Sequence, residues 1–138
     1  MSGLLRISEA ANLGLHAMAY LAASQSDDKT SVAELSKHLE VSKEHLGKVL
    51  QRLNKLGLLR SHKGPGGGFT LAKARDQITL LQILEAIDGP LPADCCMLAS
   101  RPCPHERCSF GDLLTTLGER VRTHLAETRL SDVAPLKQ

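Results

Sequence analysis

The sequence predicts a mainly α-helical fold that carries one small β-hairpin and ends in a long helix. Three observations lead there. Five segments rich in apolar residues have helical spacing or length, cap residues stand at several of their starts, and a single glycine-rich turn divides two short runs that read as strands. At 138 residues the chain is long enough for one ordinary core, or a small domain with an oligomerisation arm, and too short for two.

The first helix covers residues 8–24, "SEAANLGLHAMAYLAAS", where Leu13, Leu15, Met18, Leu21 and Ala22 spread over more than one face. A helix apolar on most sides needs partners on most sides, and a second subunit is one candidate. Ser31 and Glu34 have the spacing of a capping box, so the second helix starts near Val32 and ends around Leu39. After the short turn "EVS", Ser42 caps a third helix whose Leu46, Val49, Leu50 and Leu53 form an i, i+3, i+4, i+7 stripe, ended by Gly57. Two short helices joined by a tight turn, the second basic outside and apolar inside, make a helix-turn-helix pattern.

"LLRSHK" and "FTLAK" then read as strands around "GPGGG", residues 64–68. The segment lacks the lysine and hydroxyl that end a P-loop, and no helix follows directly. Placed straight after a basic helix, the hairpin reads as the wing of a winged helix. Thr79 and Gln82 form a second capping-box pair, opening a helix that stops at Gly89–Pro90. From Phe110 the pattern is helical again, with Phe110, Leu114, Leu117 and Val121 stepping by four, three and four and Leu113 and Leu125 widening the stripe. That stripe suits pairing with a second copy of the chain, with packing on its own domain as the alternative. The last residues, "SDVAPLKQ", read as a frayed tail. The expected organisation is a winged helix-turn-helix over residues 1–89, a cysteine loop over 90–109, and a dimerisation helix with its tail over 110–138.

The net charge of +2 conceals a strong asymmetry. Between Val41 and Arg75 stand eight basic residues against Glu44 alone, a local charge of +7 that leaves −5 for the remainder. This predicts a polyanion-binding face on a near-neutral body. Aromatic residues are only 2%, too few for stacking platforms, so duplex DNA is favoured over single strands. No apolar run approaches the roughly 20 residues of a membrane span, and the amino terminus lacks the features of a signal peptide. A soluble cytoplasmic protein with no membrane partner is expected.

The chain resembles the Rrf-two family of bacterial winged-helix regulators, from about Leu5 to Val133. The resemblance is carried by "LGLHAMAYLA", "VSKEHLGKVLQRLNKLGLL", "GPGGGFTLAK", "ITLLQILEAIDGP" and a cysteine cluster ahead of a last long helix. It implies a homodimer paired through its carboxy-terminal helices, binding a palindromic operator in double-stranded DNA. Residues Ser42 to Lys55 are then expected in the major groove, with Lys63 and the hairpin glycines Gly64, Gly66 and Gly67 near the minor groove or backbone. Ser42, Lys43, Glu44, His45, Lys48 and Arg52 become the candidate DNA contacts of the helix. Glu44, His45 and Lys48 lie early enough in it to be expected at base edges.

All four cysteines fall in "CCMLASRPCPHERC", residues 95–108. Clustered thiols in a reducing compartment are more often metal ligands or redox groups than structural disulfides. Cys96, Cys103 and Cys108 have nearly the spacing by which cluster-binding members of the resembled family hold iron and sulfide, which implies a [2Fe–2S] or [4Fe–4S] cluster; thiolates suit iron as soft anionic donors. For the fourth ligand Cys95, Glu9, Asn12 and His105 are the candidates, the position used by some relatives being Gly111 here. Zinc held by three cysteines and His105 is the alternative metal site. A thiol switch, such as a Cys103–Cys108 disulfide, is a third reading. A module with no DNA role and a thiol oxidoreductase are the rival classes. Catalysis is not expected, because nothing in the spacing fixes His105 or His124 as a base beside a cysteine.

Overall fold

Helix starts show most directly how this sequence directs its chain. In a computed structural model, which describes residues 7–24, 29–91 and 106–133, Ser8, Ser31, Ser42 and Thr79 are each an N-cap whose side-chain oxygen accepts an amide of the first turn, at 3.0–3.2 Å. Such caps satisfy donors that a helix leaves orphaned. They open α1 (Glu9–Ala23), α2 (Val32–Leu39), α3 (Lys43–Lys55) and α4 (Leu80–Asp88). The box at Thr79 is complete, since Gln82 Oε1 accepts from the Thr79 amide at 2.9 Å. The expected box at Ser31 is only half made. Glu34 turns instead to the Tyr20 hydroxyl, which donates to it at 3.2 Å and so links α2 to α1. Burial first, and then the Glu34 carboxylate, push the Tyr20 phenol above its ordinary pKa and keep it a donor.

The turn from α2 into α3 rests on Glu40, a non-glycine residue with φ of 56°. The amides of Glu40 and Val41 both donate to the Ser36 carbonyl and close the helix end. After α3, strands β1 (Leu59–His62) and β2 (Gly68–Leu71) pair antiparallel in the register Leu59↔Leu71, Arg60↔Thr70, Ser61↔Phe69 and His62↔Gly68. Thr30 adds a single bridge to the outer side of β2, exchanging hydrogen bonds of 3.1 and 2.9 Å with Phe69. Gly68 is required by that approach, because a Cβ there would lie 2.5 Å from the Thr30 carbonyl oxygen. The Phe69 ring, buried, anchors the hairpin to the core.

Helix α1 lies at the centre and touches α2, α3, α4 and β2. Leu13, Met18, Leu21 and Ala22 are buried within the chain, while Leu15 is half-buried. Helix α5 (Leu113–Glu127) packs on α4, and it starts three residues later than the stripe predicts, leaving Phe110 in the preceding turn. Leu125, and Leu130 beyond the helix, join the same core as α1, α3 and α4.

Ahead of the expected frayed tail at 131–138 the chain docks at Leu130, and the first tail residues, Ser131 and Asp132, continue that turn, with Asp132 accepting from the Arg129 amide at 3.0 Å. Leu130–Asp132 form a 3-10 turn, and the Leu130 amide donates to Ile78 at 2.9 Å while Leu80 donates to Thr128 at 3.0 Å. Leu130 is 2% exposed, against a fully buried Ile78. Apolar burial and ladder bonds at Leu130 outweigh the chain entropy lost in docking the segment that leads into the tail. Residues 134–138 lie outside the described residues. Leu130→Ala should cost about 2–5 kcal/mol in chemical denaturation; a loss below about 1 kcal/mol would contradict the docking of this segment. Gly68→Ala should cost about 1–3 kcal/mol through overpacking and quicken amide exchange at Thr30 and Phe69, and unchanged protection there would contradict the close approach.

Candidate nucleic-acid interface

Helix α3 presents the side chains that the sequence singles out because its other face is committed. Leu46, Val49, Leu50 and Leu53 are buried, Leu46, Leu50 and Leu53 completely. This leaves Ser42, Lys43, Glu44, His45, Lys48, Arg52 and Lys55 exposed. The Ser42 hydroxyl is occupied as the cap of α3, accepting from the His45 amide at 3.2 Å. Lys48 lies 3.9 Å from Glu44, one turn away, with side chains 77% and 85% exposed. An ion pair that open to water holds a lysine weakly and gives it up readily to another anion. Arg52 differs from the others: its ε nitrogen donates to the Ala86 carbonyl of α4 at 3.0 Å.

The wing continues the exposed cations through Arg60 and Lys63. Beyond Lys63 the chain reverses through Gly64-Pro65-Gly66-Gly67, with the Gly67 amide donating to the Gly64 carbonyl at 2.8 Å. Proline in second place and Gly66 at φ of 75° in third are the pattern of a type II turn. Gly64 and Gly66 are exposed at the tip, whereas Gly67 is held against the hairpin's own backbone, where a Cβ would lie 2.5 Å from the His62 carbonyl oxygen. His62 in turn lies 2.9 Å from the Thr70 hydroxyl on the opposite strand and stiffens the stem.

The predicted metal ligands are only partly placed. Cys95, Cys96, Cys103 and His105 lie outside the described residues. Cys108 carries an exposed, unpaired thiol five residues before α5 begins. Glu9 and Asn12, with His16 and His38, line an open groove of about 350 Å³ between α1 and the end of α2, floored by Leu13, Leu39 and Val41. Sequence reasoning missed this groove, although Glu9, Asn12 and His16 stand at helical spacing on α1. Among the described residues no group of three His, Cys, Asp or Glu side chains is arranged to hold a metal ion. Among the same residues no helix is long and apolar enough to cross a membrane.

Comparison with known proteins agrees with this architecture. A family model described as Rrf2, iron-dependent transcriptional regulator, matches residues 7–135. The chain is similar to the HTH-type transcriptional regulator IscR of Erwinia tasmaniensis, at 29% identity over 94% of this chain and 78% of the relative. Its fold is similar to that of CymR, the global cysteine regulator of B. subtilis, with a TM-score of 0.81 and 26% identity over 97% of this chain and 99% of that one. It also superposes on IscR of T. potens, with a TM-score of 0.72 and 21% identity over 93% and 85% of the two chains. A basic helix ahead of a glycine-tipped wing, in a match that spans nearly the whole chain, identifies a DNA-binding transcriptional regulator of the Rrf2 (Rrf-two) family, to which this protein belongs.

Proposed function

We propose that the protein is a homodimeric regulator that binds a palindromic operator and whose affinity for it is set by an iron-sulfur cluster on Cys96, Cys103 and Cys108. The DNA half of this reading is carried by one observation. Among the described residues of the basic segment, the only cation paired with a carboxylate is Lys48, and that pair is fully open to water. Arg52 and Arg75 are tied to backbone carbonyls, of Ala86 and Ala22, and the exposed lysines Lys43, Lys55, Lys63 and Lys73 carry the charge that can meet phosphates. In this reading Lys43, Glu44, His45 and Lys48 enter the major groove from the first turns of α3, while Lys63 and the Gly64–Gly66 tip follow the adjacent backbone.

Homodimerisation is supported by α5. Phe110, Leu113 and Leu117 stand at i, i+3 and i+7 and are 49%, 51% and 39% exposed. Leu113 and Leu117 on α5, with Phe110 in the turn before it, are expensive to leave in water and suit burial against a second copy.

The cluster half is supported by the iron-dependent character of the family and by the donor chemistry. Cys108 is exposed and unpaired, and three thiolates from one segment suit iron as soft anionic ligands. Bound there, a cluster supplies iron and sulfide that respond to oxidants and to small ligands of iron. Glu9, Asn12, Cys95 and His105 are the donors available to complete it. A second reading, a thiol switch without metal, is favoured by the likeness to a cysteine regulator. Zinc on three cysteines and His105 is the other metal outcome.

Duplex binding should weaken with salt along a log–log slope near −5 if a dimer neutralises about six phosphates, at roughly −0.9 for each. Replacing Lys48 and Lys63 together by alanine should abolish binding and leave the oligomeric state unchanged; a flat salt response, or loss of folding in the variant, would reject the assignment. Protein purified without oxygen should be coloured and contain iron and acid-labile sulfide, and should lose both in Cys96→Ala, Cys103→Ala or Cys108→Ala. Stoichiometric zinc, or metal-free protein with thiols that oxidise in pairs, would replace the cluster by one of the other two readings.

A further inference from the structure

The last turn of α4 is gripped from three sides. From α1, the Ser8 amide donates to Asp88 Oδ2 at 2.9 Å and the Ser8 hydroxyl donates to Asp88 Oδ1. From α5, Arg122 donates to the Leu91 carbonyl at 3.0 Å and pairs with Glu85 at 3.3 Å. From α3, Arg52 donates through Nε to the Ala86 carbonyl at 3.0 Å. Carbonyls at the end of a helix have no partner within it and carry its partial negative charge, so a guanidinium there is doubly favoured. The chain leaves this turn at Gly89 and runs through Leu91 toward Cys95.

We infer that Arg52 is a positioning residue of the reader helix: it fastens α3 to the turn that feeds the cysteine segment, so that displacement of that turn moves α3. The inference rests on the DNA-binding reading above for its consequence, although the fastening itself is a property of the free protein. It separates Arg52 from the exposed lysines, whose ammonium groups have no such tie. Its ε nitrogen is spent on α4, and its charge faces the end of a helix before any phosphate arrives. Arg122 supplies the opposite grip on the same turn through Glu85, and also holds the Leu91 carbonyl just beyond it, on the way into the cysteine segment. A pull on Leu91 therefore has two rigid elements to act through, α4 with Arg52 at one end and α5 with Arg122 at the other.

The test is a double-mutant cycle in the full-length free protein, read by amide hydrogen exchange with α2 as internal reference. Arg122→Ala should quicken exchange over the second half of α3 by about tenfold, the scale of losing a charged hydrogen bond. In the Arg52→Gln background the same change should add nothing, while Arg52→Lys, which keeps a charged donor, should retain the response. Equal effects of Arg122→Ala in both backgrounds would overturn the inference. In duplex binding, Arg52→Gln should weaken affinity about tenfold with the salt slope unchanged, whereas a slope reduced by about 0.9 per protomer would make Arg52 a phosphate contact instead. If the wild-type protein shows no salt-dependent duplex binding, the DNA reading fails, and the exchange cycle still decides whether Arg52 couples the two helices.

Discussion

A methyl group added to Gly14 would sit 2.3 Å from Ile87 Cδ1 and 3.5 Å from Val49 Cγ1, which marks the point where α1, α4 and the reader helix meet. The absence of a side chain at Gly14 lets α4 lie close against α1, with the Ala86 carbonyl at the end of α4 within reach of Arg52 on α3 and the Glu85 carboxylate within reach of Arg122 on α5. The orientation of the exposed basic face depends on this contact. Apolar packing supplies most of the stabilisation, and the polar ties at Ser8, Arg52 and Arg122 select one angle among those that packing alone allows.

Charge is segregated to match. The basic segment from Val41 to Arg75 has Glu44 as its one acidic residue, and the fold buries the leucine stripe of α3 so that its cations point to water. The wing follows without a long linker, since Leu58, the residue before β1, donates back to Leu53 at 3.0 Å. Reader helix and wing thus form one stiff unit. A duplex meets an arrangement that already exists, which limits the ordering cost of binding.

Much of this was legible in the sequence because the signals are local. Ser31, Ser42 and Thr79 announce helix starts through hydrogen bonds made within three residues, and Gly64-Pro65-Gly66 announces its turn through backbone geometry. The wing and the basic helix were legible for the same reason, whereas the α5 stripe divides, with Leu114 and Leu125 buried and Leu113 and Leu117 exposed. What escaped depends on contacts distant in sequence. Glu34 abandons its cap for Tyr20, Leu130 returns to Ile78, Gly68 is demanded by Thr30, and Arg52 is drawn off by Ala86. Each involves a partner that no window of neighbouring residues contains. Glu40 escaped differently, because a left-handed turn residue is read from glycine or asparagine and here it is neither. Of the metal-ligand candidates only Cys108, Glu9 and Asn12 fall among the described residues.

If the state of the cysteine segment sets the grip of the basic face on DNA, operator affinity must change with it. The direct measurement is operator affinity, by fluorescence anisotropy on a duplex selected with this protein, for one oxygen-free preparation divided into two halves. One half is reconstituted with iron and sulfide, and the other is stripped of metal and kept reduced. Coupling between two sites of one protein typically lies at roughly 5- to 150-fold, so the two dissociation constants should differ by at least about fivefold. Equal affinities at matched salt would contradict it, leaving a DNA-binding protein whose cysteines do not control its affinity through a cluster.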